Sequence, residues 1–267
     1  MHDFEQIKQA LDEAREYKIF EEQTDEEVET EFFDVREALL RARPERTFLE
    51  EVDLFNLKRS IASVLSYAKL FTQKVDDEDL STTDADTENN RGQIKYLYPA
   101  LGKMACDVAV FPDIIQRIDK ILNKYGKVKD TASPELLSLR HQIEITTRGI
   151  SHSLRSIITE AQTSGYIDRD VTPTLRDGRL VIPVAPALKR KIKGIVHDES
   201  ATGKTVFIEP SAVVDANNKI RTLRAAERRE VIRILQEITI EIRPHIPELI
   251  STLHFLAHVD FLRPLNA

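Results

Sequence analysis

The sequence contains one cysteine, Cys106, and no tryptophan in 267 residues. A single thiol excludes an internal disulfide framework and any cysteine-based metal cluster. Because Met104, Ala105 and Val108 surround it, we expect Cys106 to be a small buried apolar residue and not a nucleophile. A chain without disulfides suits a reducing cytoplasm.

Glycine is scarce as well, with eight residues, and long apolar runs are missing. Few glycines and no tryptophan argue against a loop-rich or all-β protein. No apolar run approaches the ~18 residues that span a bilayer. The acidic, amphipathic N-terminus resembles neither a signal peptide nor a transit peptide. We therefore predict a soluble, cytoplasmic protein with no membrane partner.

The net charge of −7 is distributed unevenly along the chain. Residues 1–53 hold 18 Asp and Glu against 7 Lys and Arg, whereas residues 176–193 hold six basic side chains and one acid. An acidic protein with one basic segment can still bind a polyanion, because binding depends on the local field. The basic segment is the part of the chain that most needs a functional explanation.

Apolar spacings of three and four predict a mainly α protein. The first helix should cover 4–17, with Phe4, Ile7, Leu11 and Ala14 on one face. Further helical patterns cover 33–42, 48–75, 94–104, 111–125, 134–163, 211–243 and 246–263. Ser133 and Pro134 have the residue types of a helix cap and first turn. Residues 76–91 are acidic and aperiodic, which indicates an exposed loop.

One stretch, 177–210, differs from the helical segments and has the sequence pattern of β-strands. Short β-branched runs at 180–184, 194–197 and 205–208 are bounded by glycine and proline, which is typical of strands joined by tight turns. Gly178, Gly194 and Gly203 are the expected turn residues. The two long helices that flank this stretch should be antiparallel. The predicted fold is a helical core with two long antiparallel helices carrying a small β element of about four short strands.

Two motifs in this stretch suggest chemistry but are better explained structurally. Residues 201–205, ATGKT, resemble the end of a phosphate-binding loop, but the first glycine position falls on Asp198 and a strand follows Lys204. His197 and Asp198, with Glu199 and Glu209 nearby, could be drawn as a metal or acid–base cluster, but we expect turn and strand-end hydrogen bonds instead. We predict no catalytic residues and no metal site.

The basic segment is the better candidate for function. Four cations within five residues repel one another unless an anion lies against them, and a nucleic-acid backbone is the commonest polyanion. The predicted nucleic-acid-binding residues are Arg176, Arg179, Lys189, Arg190, Lys191 and Lys193. Lys219, Arg221, Arg224 and Arg228 on the following helix could extend this surface, although a solvated helix face is the simpler explanation. No aromatic residue except Phe207 alternates with these cations, so base stacking is not indicated.

Asn217 and Asn218 are unusual inside a helical pattern, because asparagine is a poor helix former. We expect one of them to hydrogen-bond back to the β element or to a neighbouring helix.

Three blocks, taken in order, resemble a known family. DGRLVIPV (177–184), GIVHDESATGKTVFIEP (194–210) and the Asn217-Asn218 pair are similar to the second-type MutS homologues of bacteria, which carry a C-terminal Smr nuclease domain. A weaker likeness runs through FFDVREALLRA (32–42) and FLAHVDFLR (255–263). The chain departs from the family at Lys204, usually a small residue, and at 76–91, which looks like a lineage-specific insertion.

The resemblance implies a core and first lever helix at 1–165, a clamp at 166–210, and a second lever helix returning to the core at 211–267. Known members join this module to an ATPase domain that binds ATP and Mg²⁺ and forms the homodimer. They are DNA-processing proteins that bind branched DNA and suppress recombination, and some engage ribosomes. They lack the mismatch-reading domain of repair MutS.

No ATPase motif and no Smr segment occur in the sequence, so we expect a fragment without cofactors that hydrolyses neither ATP nor DNA. The resemblance predicts a nucleic-acid-binding core, lever and clamp module. The alternative is a scaffold that docks on a protein partner or a ribosome.

Overall fold

The computed structural model describes residues 2–24, 31–74 and 96–263. The acidic loop predicted at 76–91 lies outside these ranges. The fold is mainly α with one small four-stranded antiparallel sheet, as predicted. The chain divides into two compact units, a helical unit of Met1–Lys129 with Leu235–Ala267 and a sheet unit of Asp130–Ile234. None of the described helices is long and apolar enough to cross a membrane.

The helical unit is built from short and medium helices around an apolar core. They are α1 (His2–Gln23), α2 (Arg36–Arg41), α3 (Glu51–Phe71), α4 (Pro99–Ala105), α5 (Pro112–Ile121) and, from the C-terminal part of the chain, α8 (Ile246–Leu262). The rings of Tyr17, Phe20, Phe71 and Tyr98 form one aromatic cluster. Phe20 meets Phe71 edge to face with ring centroids 5.1 Å apart, a favoured aromatic geometry.

The helical unit exposes an apolar stripe on α1, and it also exposes Cys106, for which the expectation of burial is wrong. The face of α1 that carries Phe4, Ile7 and Leu11 is exposed, at 72%, 59% and 63%, whereas Tyr17 and Phe20 are buried. Helical spacing identifies a stripe but cannot say whether other elements cover it. Cys106 is exposed, because it caps the end of α4 and is not turned toward the apolar side chains beside it in sequence.

Several predicted helices also begin or end at different residues. The helix expected at 94–104 begins at Pro99, which occupies its first turn. The helices expected at 33–42 and 48–75 shorten to α2 and α3. Helix ends depend on local caps, which periodicity does not locate well.

The sheet unit contains two long helices and all four strands. The helices are α6 (Pro134–Thr163) and α7 (Val214–Ile242), whose residues from Leu235 onward belong to the helical unit. The strands are β1 (Thr174–Arg176), β2 (Arg179–Val184), β3 (Gly194–Glu199) and β4 (Val206–Pro210), in the spatial order β1-β2-β4-β3. Ser133 caps α6 as predicted, its hydroxyl accepting a hydrogen bond from the Leu136 amide at 3.0 Å.

The two long helices run antiparallel within this unit. The hydroxyl of Ser133 donates to Glu230 at 2.5 Å, and Arg140 donates to Glu227 at 2.7 Å, so rising numbers on α6 meet falling numbers on α7. Near the sheet, Ile150 and Leu154 of α6 pack in one cluster with Ile220 of α7. The inner side chains of β2 and β4 join the same cluster. This packing fixes the sheet against the two helices.

The hairpin between β1 and β2 closes through a two-residue Asp-Gly turn. Arg176 pairs with Arg179, and Asp177 (φ 46°) and Gly178 (φ 75°) between them are both left-handed. This is the backbone of a type I′ turn, for which Asp-Gly is a preferred sequence. The predicted turn at Gly203 also has a positive φ, 66°.

Gly194 fulfils a different requirement from the other two glycines. It begins β3, and a Cβ there would lie 2.2 Å from the Glu209 carbonyl oxygen. The close approach of two backbones therefore requires glycine at this position, with no need for a left-handed conformation.

Candidate nucleic-acid interface

A buried carboxylate, Glu209, organises the side of the sheet that faces the start of α7. Its side chain is fully buried on β4. Its two oxygens accept hydrogen bonds from Arg179 at 2.7 Å, Asn217 at 2.8 Å and His197 at 2.5 Å. These three donors come from β2, α7 and β3, so one carboxylate ties three elements together.

His197 reaches Glu209 because β3 contains a bulge. Val196 pairs with Ile208 and Asp198 with Phe207, which leaves His197 as the extra residue. A bulge re-aims a side chain that regular pleating would direct elsewhere. The predicted explanation for His197 and Glu209, hydrogen bonding at the strands, is confirmed.

The donors around Glu209 decide its charge. Burial alone would raise the pKa of this carboxyl, but hydrogen bonds from Asn217, His197 and Arg179 together hold the pKa below its usual value. The group is therefore a carboxylate at neutral pH. Because a carboxylate only accepts hydrogen bonds, His197 donates through Nε2.

The asparagine pair makes the contacts predicted for it. The amide of Asn217 is buried, donates to the Leu180 carbonyl at 3.2 Å and accepts from the Leu180 amide at 3.2 Å. Asn218 accepts from Arg179 at 2.9 Å. The first turn of α7 is thereby bonded to the edge of β2, and the Asp-Gly turn is held beside this helix.

The structure does not place the six predicted binding cations together. The guanidinium of Arg179 is only 13% exposed and is occupied by Glu209 and Asn218. Arg176 lies over the ring of Phe207, 4.1 Å from its centroid, and 3.9 Å from the Asp198 carboxylate. These two arginines shape the sheet surface, whereas the remaining four cations lie on the connection between β2 and β3.

That connection, residues 189–193, is a basic segment anchored by one apolar residue. Ile192 is buried in the cluster beneath the sheet, and the side chains on either side of it, Lys191 and Lys193, are exposed. The backbone is fixed by hydrogen bonds from the Lys191 amide to Leu188 and from the Ser211 amide to Lys193. Lys189 and Arg190 are exposed on the same connection. We call Lys189, Arg190, Lys191 and Lys193 the lysine segment.

A second basic surface lies along α7. A cleft of about 860 Å³ is lined by Arg221, Arg224, Arg228 and Arg229 on one side and by the Asp177-Gly178 turn on the other. Their spacing of three, seven and eight residues puts these arginines on neighbouring turns of one helix face. The side chain of Arg224 comes within 3.9 Å of the position that a Cβ on Gly178 would take. We call this cleft the arginine groove.

The arginine groove keeps most of its positive charge available. Within the described part of the chain, none of the four arginines forms an ion pair. Glu227, which also lines the groove, is paired with Arg140 at 2.7 Å, so its negative charge is already compensated. Asp177 is the remaining acid of the lining. Lys219, the other predicted extension residue, is exposed two residues before Arg221 but is not part of the groove lining.

The other sequence motifs form no chemical site. Gly203 lies in a tight turn closed by hydrogen bonds between Ser200 and Thr205, and β4 follows it where a phosphate-binding loop would start a helix. His258 contacts Glu13 at 2.8 Å inside the helical unit. Among the described residues, no group of three or more His, Cys, Asp or Glu is placed to hold a metal ion.

Arg229 lines the arginine groove with the arginines predicted on this helix face. Sequence reasoning missed one residue near these surfaces. Tyr166 lies beside the lysine segment, with the ammonium of Lys191 5.1 Å from its ring centroid. Its position two residues beyond Ser164, at the end of α6, gave no signal, because the sequence separates it from Lys191 by a whole hairpin.

Curated relatives of the chain carry one name. The chain is 32% identical over 259 residues, 97% of its length, to endonuclease MutS2 of Lactobacillus johnsonii. It is 34% identical over 230 residues to endonuclease MutS2 of Geobacillus sp. strain WCH70 and 37% identical over 164 residues to that of Halalkalibacterium halodurans. These stretches are 97%, 86% and 61% of this chain. No protein-family model matches it.

The chain spans only 30%, 27% and 21% of the length of those three relatives. The chain is therefore MutS2-like over nearly all of its length, and it corresponds to less than a third of each relative. The resemblance predicted from the three sequence blocks is confirmed.

Proposed function

We propose that this chain, MutS2-like over 97% of its length, is the nucleic-acid-binding core, lever and clamp module of a MutS-like DNA-processing protein. The arginine groove is the observation that carries this proposal. Four arginines without ion-pair partners among the described residues line one cleft, and such a surface matches the repeating negative charge of a phosphate backbone. The lysine segment supplies further cations in the same sheet unit.

In this proposal the two basic surfaces bind phosphates and the Glu209 network positions them. Arg179 has a positioning role in this proposal: its guanidinium binds Glu209 and Asn218 and has little surface left to contact a phosphate. The exposed cations of both surfaces are suited to phosphate contacts, so we propose recognition of backbone and shape, as in branched DNA. The clamp is proposed at 166–210, a range that holds all four strands, with 1–165 and 211–267 as core and lever segments.

The activities that the relatives' name implies are proposed for the longer protein. We propose that nuclease chemistry, ATP and Mg²⁺ binding and homodimerisation belong to parts of that protein outside these residues. The module itself would contribute binding and no hydrolysis. The proposed setting is recombination or mismatch-related DNA processing in the cytoplasm.

The test is binding of the chain to a four-way DNA junction, a plain duplex and a structured RNA, by fluorescence anisotropy at two salt concentrations. We expect affinity to fall steeply with salt, by a slope of about 0.9 for each phosphate contacted. Replacing Arg221, Arg224, Arg228 and Arg229 by glutamine should reduce that slope by about two or more, as should Lys189→Glu, Arg190→Glu and Lys191→Glu together.

A matched control replaces exposed cations of the helical unit. Lys8→Gln, Arg15→Gln, Lys69→Gln and Lys103→Gln remove four positive charges, as the groove variant does, without touching either basic surface. The proposal fails if the control lowers affinity as much as the groove variant, or if the groove and lysine-segment variants keep the wild-type salt slope. The four-way junction and the RNA, compared in the same assay, identify the preferred ligand.

A second candidate function, protein or ribosome docking, is favoured by the exposed apolar stripe on α1. Phe4, Ile7 and Leu11 expose 72%, 59% and 63% of their surfaces on successive turns. Contiguous apolar surface of this kind is typical of protein interfaces. Serine at all three positions should abolish co-sedimentation with ribosomes if this function is correct, and that binding should depend weakly on salt.

A further inference from the structure

A pocket in the sheet unit combines an aromatic ring, apolar walls and two lysines. It has a volume of about 420 Å³, within the ~300–1,000 Å³ range of small-molecule sites. Its lining includes Tyr166, Ile157 and Ile192, with Lys191 and Lys193 from the connection between β2 and β3 and Glu160 from α6. The lysine segment therefore borders a pocket as well as solvent.

The end of α6 holds Tyr166 in place. Gly165 has a φ of 71°, and the Tyr166 amide donates to the Ala161 carbonyl at 2.8 Å while the Gly165 amide donates to Gln162 at 3.0 Å. This is the pattern of a Schellman cap, which fixes the residue that follows the glycine. The ring is half-buried, so one part of it is available to a ligand.

The ring of Tyr166 presents an electron-rich face close to the positive charge of an exposed lysine side chain. The ammonium of Lys191 lies 5.1 Å from the ring centroid, and its side chain is exposed. An exposed cation–π contact is weaker than stacking of a nucleobase on an aromatic ring. A base can therefore replace the ammonium over the ring, and the released ammonium can pair with the phosphate of the same nucleotide.

The distribution of charge orients such a nucleotide. Lys191 and Lys193, on the connection between β2 and β3, attract the phosphate, whereas the carboxylate of Glu160, on α6, disfavours phosphate beside it. Most of the remaining lining is apolar, including Ile157 and the buried Ile192, and suits the flat face of an uncharged base. A nucleotide with its base inside the pocket and its phosphate at the two lysines satisfies both the charge distribution and the apolar lining.

We propose that the Tyr166 pocket binds one unpaired nucleobase of a single-stranded segment, by stacking on Tyr166 with the adjoining phosphate on Lys191 and Lys193. This inference rests on the proposed nucleic-acid-binding function and adds to it a preference for unpaired over paired bases. A base inside a duplex is stacked between its neighbours and cannot enter the pocket without being extruded. Forks, flaps and other branched structures with single-stranded arms offer unpaired bases at their branch points.

The experiment compares three labelled probes: a short single strand of mixed sequence, an abasic strand of the same length and the matching duplex. The abasic strand keeps the phosphates and lacks the bases, so it isolates stacking without any change to the protein. We expect the wild-type chain to bind the normal strand at least about fivefold more tightly than the abasic strand, the effect of one stacked base. Tyr166→Ala should abolish this difference, and Tyr166→Phe, which keeps the ring, should preserve it.

Salt dependence separates this site from the phosphate contacts. Tyr166→Ala should leave the salt slope on the single strand unchanged, because stacking releases no counterions, whereas Lys193→Gln should lower that slope by about 0.7. Repeating the comparison with RNA strands tells whether the unpaired base comes from DNA or RNA, and a base preference in either supports the inference.

The inference is overturned if the wild-type chain binds normal and abasic strands equally, or if Tyr166→Ala keeps the preference. Salt-dependent duplex binding without any base preference would overturn this inference and leave the proposed function intact. Absence of binding to every probe would overturn both.

Discussion

The helical unit and the sheet unit both bury glutamates, and Glu13 and Glu209 are held in different ways. Glu13, 3% exposed, takes its partners from its own helix, Gln9 at 2.8 Å, and from His258 at 2.8 Å. Glu209, fully buried, takes three partners from three different elements. In the sheet unit, a polar centre at Glu209 therefore joins three strands and α7 in addition to the apolar cluster.

The largest expected effect follows from removing that centre. Glu209→Ala should destabilise the chain by about 3–5 kcal/mol, because it leaves the largely buried guanidinium of Arg179 without its anion. Glu13→Ala should cost less, about 1–3 kcal/mol, since it removes hydrogen bonds only. Urea unfolding followed by circular dichroism measures both.

A charge-free pair tests the reason for this difference. Arg179→Met combined with Glu209→Leu removes both charges and should recover part of the stability that Glu209→Ala loses. Equal losses in Glu209→Ala and Glu13→Ala would contradict the contrast between the two units.

A smaller effect should follow from adding one methyl group to the sheet. Gly194→Ala places a Cβ 2.2 Å from the Glu209 carbonyl oxygen, so β3 and β4 must separate, at a cost of about 1–3 kcal/mol. Gly149→Ala is the matched control, because it lies inside α6 with no atom within 4 Å of the added carbon. That change should stabilise the chain by about 0.5–1 kcal/mol through helix propensity. Thermal unfolding should show opposite signs, and a loss of stability in both variants would refute the steric explanation.

A third expected effect is a pH dependence of the sheet unit. Hydrogen bonding from Arg233 is the main reason why the pKa of Glu230 falls from 4.5 to about 2, and the hydrogen bond from Ser133 lowers the pKa further. Burial raises the pKa, but its effect is smaller than that of Arg233. A carboxyl whose folded pKa is lowered contributes stability that is present above its unfolded pKa and is lost as pH falls toward the folded one. Stability should therefore decrease between pH 4.5 and about 2, and only part of the loss should be reached at pH 4.

Glu230→Gln is the variant that checks this dependence. It should be less stable than wild type at neutral pH and should show a shallower decrease in acid, measured as urea midpoints over the same pH range. An identical acid response in both proteins would mean that Glu230 does not carry the effect.

Elements with a regular spacing of apolar residues or with characteristic cap and turn residues were predictable from the sequence. Ser133-Pro134 started α6 where expected, and the long apolar spacing gave its end at Thr163. Asp177-Gly178 identified a hairpin turn, because few other residue pairs accept two left-handed conformations. The asparagine pair was found because asparagine in a helix requires a compensating hydrogen bond.

The candidate sites were predicted less completely. The lysine segment is contiguous in sequence, so counting charges found it. Arg179 was predicted from the same count of positive charges, but its guanidinium is hydrogen-bonded to the carboxylate of Glu209, 30 residues away. Tyr166 and Lys191 approach only after α6 ends and the β1–β2 hairpin returns the chain, which no local pattern encodes.

The sequence by itself determined the helices, the strands, the tight turns and the concentration of positive charge, because each follows from interactions between residues near one another in the chain. The tertiary structure decided which charges stay free and which are used internally. It buried Glu209 among donors from three elements, left the stripe on α1 exposed, and brought Tyr166 to the lysine segment. Those outcomes depend on the desolvation and partners that each side chain finds after packing, and these are properties of the folded chain as a whole.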